Sequence, residues 1–431
     1  MARFTTFRYC LDPTVEQQTA LSRHAGASRF AYNQCLRIVT TALDRRRRDP
    51  AVQVPWTRFS LINGFNSWKR SEAAGRTFTV DTVGVATVSV TGLSWRGEVS
   101  AQVFEEAAVD LADGLKAFTE SRAGARRGRR IGFPRWKTKH RSTPSFRLRN
   151  KLSATGRATI RVGDDQLPRS VTLPTLGVLR VREDTRRLRR LLTHGRGKIL
   201  SATISQRAGR WFAAVTVEAA DLHPGHRHPP RSDGDASGWV GIDRGLSAFL
   251  VAATSDGIEV DRVEDHPKPL AVQQRRQKRL TKSVTRKQKG SGRRAHAVAR
   301  LARHHRHIHD IRTHFLHQVS TRLVKTHARL AVEDLNITGM MANRHLARAI
   351  GDVGWGEFAR QLEYKQRWRG GGIHTVDRWF ASSQICSRCG LRQPGLRLAD
   401  RVFTCTGCGL VVDRDMNAAV NLAARAETDC A

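Results

Sequence analysis

Cys386-Ser-Arg-Cys389, then Cys405-Thr-Gly-Cys408, then Asp413-Arg-Asp415-Met-Asn417-Ala-Ala419 is the stretch that decides how this chain reads. Cysteines two residues apart bend into a knuckle that brings both thiolates to one ion. Two knuckles supply the four thiolates of a tetrahedral Zn²⁺ site. Gly390 and Gly409 follow the second cysteine of each pair, where the backbone must turn tightly. Fifteen residues separate the pairs, a zinc-ribbon spacing. With Cys386, Cys389, Cys405 and Cys408 all filling the coordination sphere, the expected zinc is closed and structural. A redox pair is the bland alternative. The acidic run that follows reads as part of a second, catalytic metal site.

Charge points the same way. The chain has 431 residues, with 75 Lys and Arg against 38 Asp and Glu and a formal net charge of +37. Such an excess fits a polyanion partner, because each neutralised phosphate releases a counterion. A ribosomal-type or membrane-surface protein is the alternative, but the charge is spread along the chain rather than held in a tail. The length suggests about three folded units. No run reaches the ~18–20 apolar residues of a membrane span, and the start, Met1-Ala-Arg-Phe-Thr-Thr-Phe-Arg, has no signal-peptide core. A cytoplasmic protein is expected. Cys10, Cys35 and Cys430 are scattered, which suits a reducing cytosol with one cysteine metal site.

Along the chain, Arg3 to Cys10 alternates as a strand and Asp12-Pro13 stops it. Residues Val15 to Arg37 have helical spacing, and Arg45 to Pro50 is a charged break. Val52 to Ala125 reads as mostly helix, clearest over Ala101 to Thr119, with strands near Val80 to Val90. Trp56, Phe59, Phe65 and Trp68 at near-helical spacing are expected in the core. The basic run Arg126 to Arg141 marks a boundary. Phe146 to Val217 reads as short strands between Gly and Pro turns, the pattern of a small antiparallel barrel. Asp221 to Gly238, dense in His, Pro, Gly, Ser and Asp, is a linker. Beyond it come an apolar strand from Trp239 to Thr254, a turn at Ser255-Asp-Gly257, a basic helical hairpin over 270–325 and a strand Arg329-Leu-Ala-Val332. A helix over Trp355 to Arg369, a strand His374 to Trp379 and a last helix from about Asp415 to Ala426 complete the chain.

Three acids are the catalytic candidates. Asp243, in Gly241-Ile-Asp-Arg-Gly245, sits inside an apolar strand, where a carboxylate is costly to bury unpartnered. Glu333 ends a strand in Ala331-Val-Glu-Asp-Leu-Asn336, and Asp415 opens the helix after the ribbon. Carboxylates so placed can converge on one sheet edge and hold two Mg²⁺ ions roughly 3.5–4 Å apart, one activating water and one stabilising the leaving oxygen. Each has a plainer alternative. Asp243 reads equally as a turn residue, Asp334 competes with Glu333 as ligand, and Asp413 competes with Asp415 for ligand and helix cap. The basic segment Gln274 to Arg306 reads as a phosphate-backbone clamp, and His304, His305, His307 and His309 extend it, because their spacing suits no single metal site. Phe133 and Trp136, in Gly132-Phe-Pro-Arg-Trp-Lys137, read either as base-stacking planes or as core.

These residues resemble a known family. Gly-Ile-Asp243-Arg-Gly, Leu-Ala-Val-Glu333-Asp-Leu-Asn, the four-cysteine ribbon and Asp413-Arg-Asp415-Met-Asn-Ala-Ala are similar to the split RuvC nuclease and zinc ribbon of the TnpB proteins, transposon-encoded RNA-guided DNA endonucleases ancestral to type V CRISPR effectors. The match spans Trp239 to the C-terminus; the N-terminal half is similar in organisation only. The resemblance implies an α+β multidomain chain. Residues 1–12 would give the first strand of a β-barrel wedge domain, and 13–129 a helical recognition domain with a β-containing insert. The wedge barrel and linker would follow at 130–232. An RNase H-like (RuvC) nuclease domain would occupy 233–385, with the zinc ribbon at 386–409 and the closing RuvC helix at 410–431. It places the catalytic acids at Asp243, Glu333 and Asp415, with Mg²⁺ as catalytic and Zn²⁺ as structural metal. The implied partners are a guide RNA and double-stranded target DNA, read beside a short flanking motif and cut at a single two-metal site by a monomer. Arg244 stands where an apolar residue is commoner, Ala381 where Pro is usual and Gln384 where Lys is frequent. These departures are expected to leave metal binding untouched and to bear on contacts near the cut strand. The competing readings are a guided DNA-binding regulator with weak cleavage, a small type V CRISPR effector and a guide-free structure-specific resolvase.

Overall fold

The computed structural model describes residues 3–126, 128–139, 141–163, 166–220, 224–229, 237–397 and 400–431. The chain forms two units, Met1–Ala220 and Asp221–Ala431. Within the expected linker, 221–223 and 230–236 lie outside the described residues, as do positions 127 and 140 of the basic run.

In the first unit, β1 (Arg3–Cys10) leads into the 32-residue α1 (Val15–Arg46), opened by a capping box between Thr14 and Gln17. The helix runs past the expected Arg37. Val39 continues its buried face, and Arg45 and Arg46 at its last turn suit the negative end of the dipole. Then come α2 (Arg58–Trp68), β2 (Arg76–Val80), β3 (Ala86–Thr91) and α3 (Ala101–Arg122). Phe65 and Phe104 meet with ring centroids 5.3 Å apart where α2 packs on α3. Phe59, expected in the core, lies in the first turn of α2 on its solvent side and is 75% exposed.

The rest of the unit is β4 (Ser145–Arg149), β5 (Arg161–Val162), β6 (Ser170–Leu173), β7 (Gly177–Arg180), α4 (Arg186–Thr193), β8 (Gly197–Arg207) and β9 (Arg210–Ala219). The first sheet runs β1-β9-β8-β4, all antiparallel, and the second β5-β6-β7. A bridge between Leu11 and Val181 joins the end of β1 to the residue after β7. Helix α4 was not anticipated. Its arginines mask a helical period whose buried member is Leu188.

The second unit carries the chemistry-bearing motifs. Its elements begin with β10 (Val240–Asp243), β11 (Leu250–Thr254), β12 (Glu259–Val263), α5 (Pro269–Val272), α6 (Gln274–Thr285), α7 (Gly292–Thr326) and β13 (Arg329–Glu333). They continue with α8 (Ile337–Ala342), α9 (Ala347–Val353), α10 (Trp355–Arg369), β14 (Gly372–Val376), β15 (Val402–Thr404), β16 (Val411–Asp413) and α11 (Arg414–Asp429). The main sheet has order β12-β11-β10-β13-β14. Its first two pairings are antiparallel; β10 with β13 and β13 with β14 are parallel. The expected single strand Trp239–Thr254 is therefore two strands, and Asp243 ends the first instead of lying inside one. The chain reverses at Gly245, where an added Cβ would stand 2.8 Å from the Ala248 carbonyl oxygen.

Strand period decides which side chains face which layer. Val240 and Ile242 of β10, with Leu330 and Val332 of β13, face Leu316 and Leu323 of α7 and Phe358 and Leu362 of α10. Ala331 and the residues between face α11, which packs against β10, β11, β13 and β14. Gly241 makes the closest approach. A Cβ there would lie 1.9 Å from the Ala419 carbonyl oxygen and 2.6 Å from the Ala423 nitrogen. No described helix is long and apolar enough to cross a membrane.

Because backbone rather than a pliable side chain fills that space, Gly241→Ala is expected to destabilise the second unit by about 3 kcal/mol or more. Denaturant unfolding of wild type and variant checks this, and an unchanged midpoint would count against the packing argument.

Candidate active site

The four cysteines meet as their spacing implies. Their sulfur atoms all lie within 4.8 Å of one another, with Cys389 and Cys405 at 3.5 Å and Cys386 and Cys408 at 3.6 Å. A thiolate tetrahedron with metal–sulfur bonds of about 2.3 Å has edges of roughly 3.8 Å, so the quartet could hold one metal ion of zinc's size. Both knuckles turn through left-handed glycines, Gly390 at φ 76° and Gly409 at φ 70°. The Gly390 N–H donates to the Cys386 carbonyl and the Gly409 N–H to the Cys405 carbonyl.

The first knuckle is stitched to α11. Asn417 accepts from the Ser387 N–H at 2.9 Å and donates to the Ile385 carbonyl at 2.7 Å. One turn on, Asn421 donates to the carbonyls of Ser382 and Ile385. Sequence reasoning quoted Asn417 without assigning it a task and passed over Asn421. The available signal was the i, i+4 pair of amides in an otherwise alanine-rich helix.

The three acids come from the elements just described. Period two puts Asp243 and Glu333 on the α11 side of β10 and β13, whose parallel ladder reaches Ile242 and Val332, one residue short of both. Asp415 occupies the first turn of α11, where the helix N-terminus favours negative charge. Its Oδ2 would lie 3.8 Å from a Cβ on Gly245. Burial first, then the Asp415 charge, then Glu333 push the half-buried Asp243 carboxyl up to about 7, against the pull of Arg244 and Arg414. Burial likewise raises Glu333, with Arg244 opposing and Asp334 adding to it. Asp415 is raised by burial and then by Asp413, with Arg401, Arg414 and Arg262 opposing. The three carboxylates do not all come within 4.8 Å of one another as the cysteine sulfurs do. The quartet is the one group of His, Cys, Asp or Glu among the described residues with all ligand atoms within 4.8 Å.

Ion pairing separates the candidates. Asp334 is held by Arg378 through Nε at 2.9 Å and through Nη2. Asp413 caps α11 by accepting from the Met416 N–H at 2.9 Å, and it pairs with Arg262 at 3.3 Å. Among the described residues, no salt bridge reaches Asp243, Glu333 or Asp415. The two competitors are thus neutralised, and the other three remain open to a cation.

Part of the basic hairpin also lacks acidic partners among the described residues, although Arg306 pairs with Asp310 and Arg322 with Asp261. Arg276 and Arg279 of α6 and Arg300 and Arg303 of α7 line a pocket of about 370 Å³ with His304 and His307, and none has an acidic partner among the described residues. His304 is buried while His305, His307 and His309 are exposed. Arg348 of α9 joins Lys278, Lys282, Arg286 and Lys287 around a second groove along α6. In the first unit, Phe133 packs edge-on against Phe118, centroids 5.4 Å apart, and belongs to the core, whereas Trp136 is 53% exposed.

Burial of Asp243 beside like charge has a stability consequence. The folded Asp243 carboxyl titrates above its ordinary 3.8. The fold therefore disfavours its charged form, at no cost below the unfolded pKa and at full cost above about pH 7. Asp243→Asn is expected to raise the Tm of the zinc-loaded, Mg²⁺-free protein at about pH 8, by roughly 2–4 °C per kcal/mol relieved, with the gain vanishing near pH 4. Differential scanning calorimetry at both pH values tests this; a lower Tm at pH 8 contradicts it.

Comparison with known proteins shows what this chain is similar to. Residues 355–422 match the profile described as Cas12f1-like, TNB domain. Residues 227–344 match the OrfB-type profile of IS605 elements described as "Probable transposase". Residues 1–48 match a helix-turn-helix profile of the same OrfB type, although the structure has one continuous helix there. A Mycobacterium tuberculosis protein named as a candidate RNA-guided DNA endonuclease is 32% identical over 424 residues, covering 97% of this chain and 85% of the relative. A Streptomyces pristinaespiralis protein of the same description is 30% identical over 418 residues, covering 97% and 88%. InsQ of Escherichia coli K12 is 27% identical over 439 residues, covering 98% and 92%. The chain in a Cas12f1–sgRNA–target DNA complex aligns over 98% of this chain and 99% of its own length, at 13% identity and a TM-score of 0.48. With relatives of 30% identity or more matched over 85% and 88% of their length, this chain belongs to the TnpB family, the OrfB family of IS605-type elements.

Proposed function

We propose that this protein is an RNA-guided DNA endonuclease, and that Asp243, Glu333 and Asp415 hold its catalytic divalent ions. The observation that carries this reading is the ion-pair contrast: the two neighbouring acids are bound by arginines and these three are not. Shared family and the relatives' names support guide and target as partners. The sheet order, antiparallel on one side of β10 and parallel on the other, supports a RuvC-type, RNase H-like nuclease unit. The sulfur distances support structural Zn²⁺ at Cys386, Cys389, Cys405 and Cys408. We read 1–12 and 130–232 as a wedge barrel interrupted by helical 13–129, and 233–385 with 410–431 as the nuclease around the ribbon at 386–409. The Leu11–Val181 bridge between the two first-unit sheets is consistent with a barrel.

The carboxylates fit a pair of Mg²⁺ ions, since oxygen ligands of crowded charge are what hard cations take. When bound, such ions activate water and stabilise the leaving oxygen of a phosphodiester. The chain's own groups prepare that chemistry. β10 and β13 present Asp243 and Glu333 from rigid strand ends, and α11 presents Asp415 from its first turn. Asp413 and Asp334, engaged elsewhere, are kept from competing for the cation. The hairpin arginines supply unpaired positive charge for phosphates, and base pairing to a bound guide would carry the sequence specificity. A binding-only regulator would leave three unpaired carboxylates without a use.

Asp243→Ala is expected to abolish Mg²⁺-dependent cutting of a guide-matched duplex while leaving nucleic-acid affinity nearly unchanged. Cleavage gels beside filter binding measure both, and full residual cleavage would reject the assignment. Replacing Arg276, Arg279, Arg300 and Arg303 with Gln is expected to flatten the slope of log K against log salt by about 0.7–0.9 for each phosphate that the arginines no longer neutralise. Salt titration of binding reads the slope; an unaltered slope removes the hairpin from the interface.

A further inference from the structure

The seam between β10 and β13 ends in an unusual way. Their parallel ladder stops at Ile242 and Val332, so Asp243 and Glu333 pair outward with Val251 and Val376 but not with each other. Arg244 takes over there. Its side chain is buried, with the residue 8% exposed, and Nη2 donates to the Glu333 backbone carbonyl while the Nε–H is buried without a partner. A buried guanidinium is costly unless opposite charge answers it. The charges around it are those of Glu333, Asp243 and Asp334. Asp334 already has Arg378. The counter-charge left for Arg244 is the unpaired carboxylate group itself, which it faces without forming a salt bridge to any member.

We propose that Arg244 is a positioning residue that serves the metal site as a resident counter-ion, tying the ends of β10 and β13 through the Glu333 carbonyl and cancelling one of the three carboxylate charges. It keeps the acids assembled between metal-binding events, and it makes the site bind divalent cations more weakly than three bare carboxylates would. This proposal runs against the expectation from sequence that Arg244 leaves metal binding untouched. The inference rests on reading Asp243, Glu333 and Asp415 as a metal site.

Calorimetric titration of Mn²⁺ into the zinc-loaded full-length protein at about pH 8.5, where Asp243 is ionised, separates the two ideas. Asp243→Asn is expected to lose the Mn²⁺ site. Arg244→Gln, which keeps a hydrogen-bond donor and removes the charge, is expected to bind Mn²⁺ roughly fivefold to tenfold more tightly. Arg244→Lys, which keeps the charge, is expected to stay within about twofold of wild type. Without Mn²⁺ the Gln variant should melt below wild type, and saturating Mn²⁺ should narrow that gap, because an ion substitutes for the missing cation and a packing defect would not respond. Unchanged Mn²⁺ affinity in Arg244→Gln, a melting gap indifferent to Mn²⁺, or a Lys variant that behaves like Gln would each overturn the counter-ion role. Wild-type Mn²⁺ binding by Asp243→Asn would instead overturn the metal-site reading, and the role of Arg244 with it.

Discussion

Helix α11 lies on β10 with its backbone in the space a side chain at position 241 would need. The Ala419 carbonyl oxygen comes within 1.9 Å of where that Cβ would be. Contact this close requires glycine on the strand and small residues on the helix, and Ala419, Ala423 and Ala426 are fully buried. Asp415 stands one turn before Ala419, so the seating that brings Ala419 onto Gly241 also carries Asp415 to the sheet edge where Asp243 ends its strand. Period-two alternation in β10 and β13 then turns Asp243 and Glu333 toward the same layer. The acidic site is a consequence of how one helix is allowed to pack.

Electrostatics in this region is arranged by subtraction. Five acids lie close together in sequence or space, and arginines take two of them out of play. Arg378 holds Asp334, and Arg262 holds Asp413, which also caps α11. Burial raises the proton affinity of the remaining three, and at Asp243 the charges of Asp415 and Glu333 add to it. In a soluble core such crowding is a stability cost, and proteins keep it where a ligand will relieve it. Arg244 tempers the cost without ending it, since it bonds a backbone carbonyl and leaves every carboxylate oxygen free.

The cysteine quartet and the acidic edge are mechanically joined. Asn417 and Asn421 project from α11 and grip the backbone before and within the first knuckle. β16 leads directly into α11, so the ribbon constrains the helix N-terminus from both sides. A metal ion held by the quartet would therefore bear on the placing of the acidic edge without touching it. The hairpin of α6 and α7 adds the opposite quality, a cluster of guanidiniums that face one another and wait for an anion.

Local patterns carried much of this into view. Two cysteine knuckles, each with its turning glycine, announce the quartet because ligand spacing is a local property of the chain. The helix over Trp355–Arg369 and the basic hairpin also follow from short-range periodicity. The same reading drew one strand from Trp239 to Thr254, because a continuous apolar run does not reveal where the backbone reverses. It placed Phe59 in the core, and it missed α4 beneath its arginines. Above all, residue types and spacing left Asp334 and Asp413 in competition, and only the family resemblance set Asp243, Glu333 and Asp415 apart; in the structure ion pairing also separates the three from the two. That separation depends on Arg378 and Arg262, which lie 44 and 151 residues along the chain from the acids they neutralise. The sequence by itself determined which chemical groups are available and the local shapes they favour. Only the tertiary structure decided which charges are paired and which are left open, because electrostatic partnership depends on distance through space, and folding makes those distances unrelated to separation along the chain.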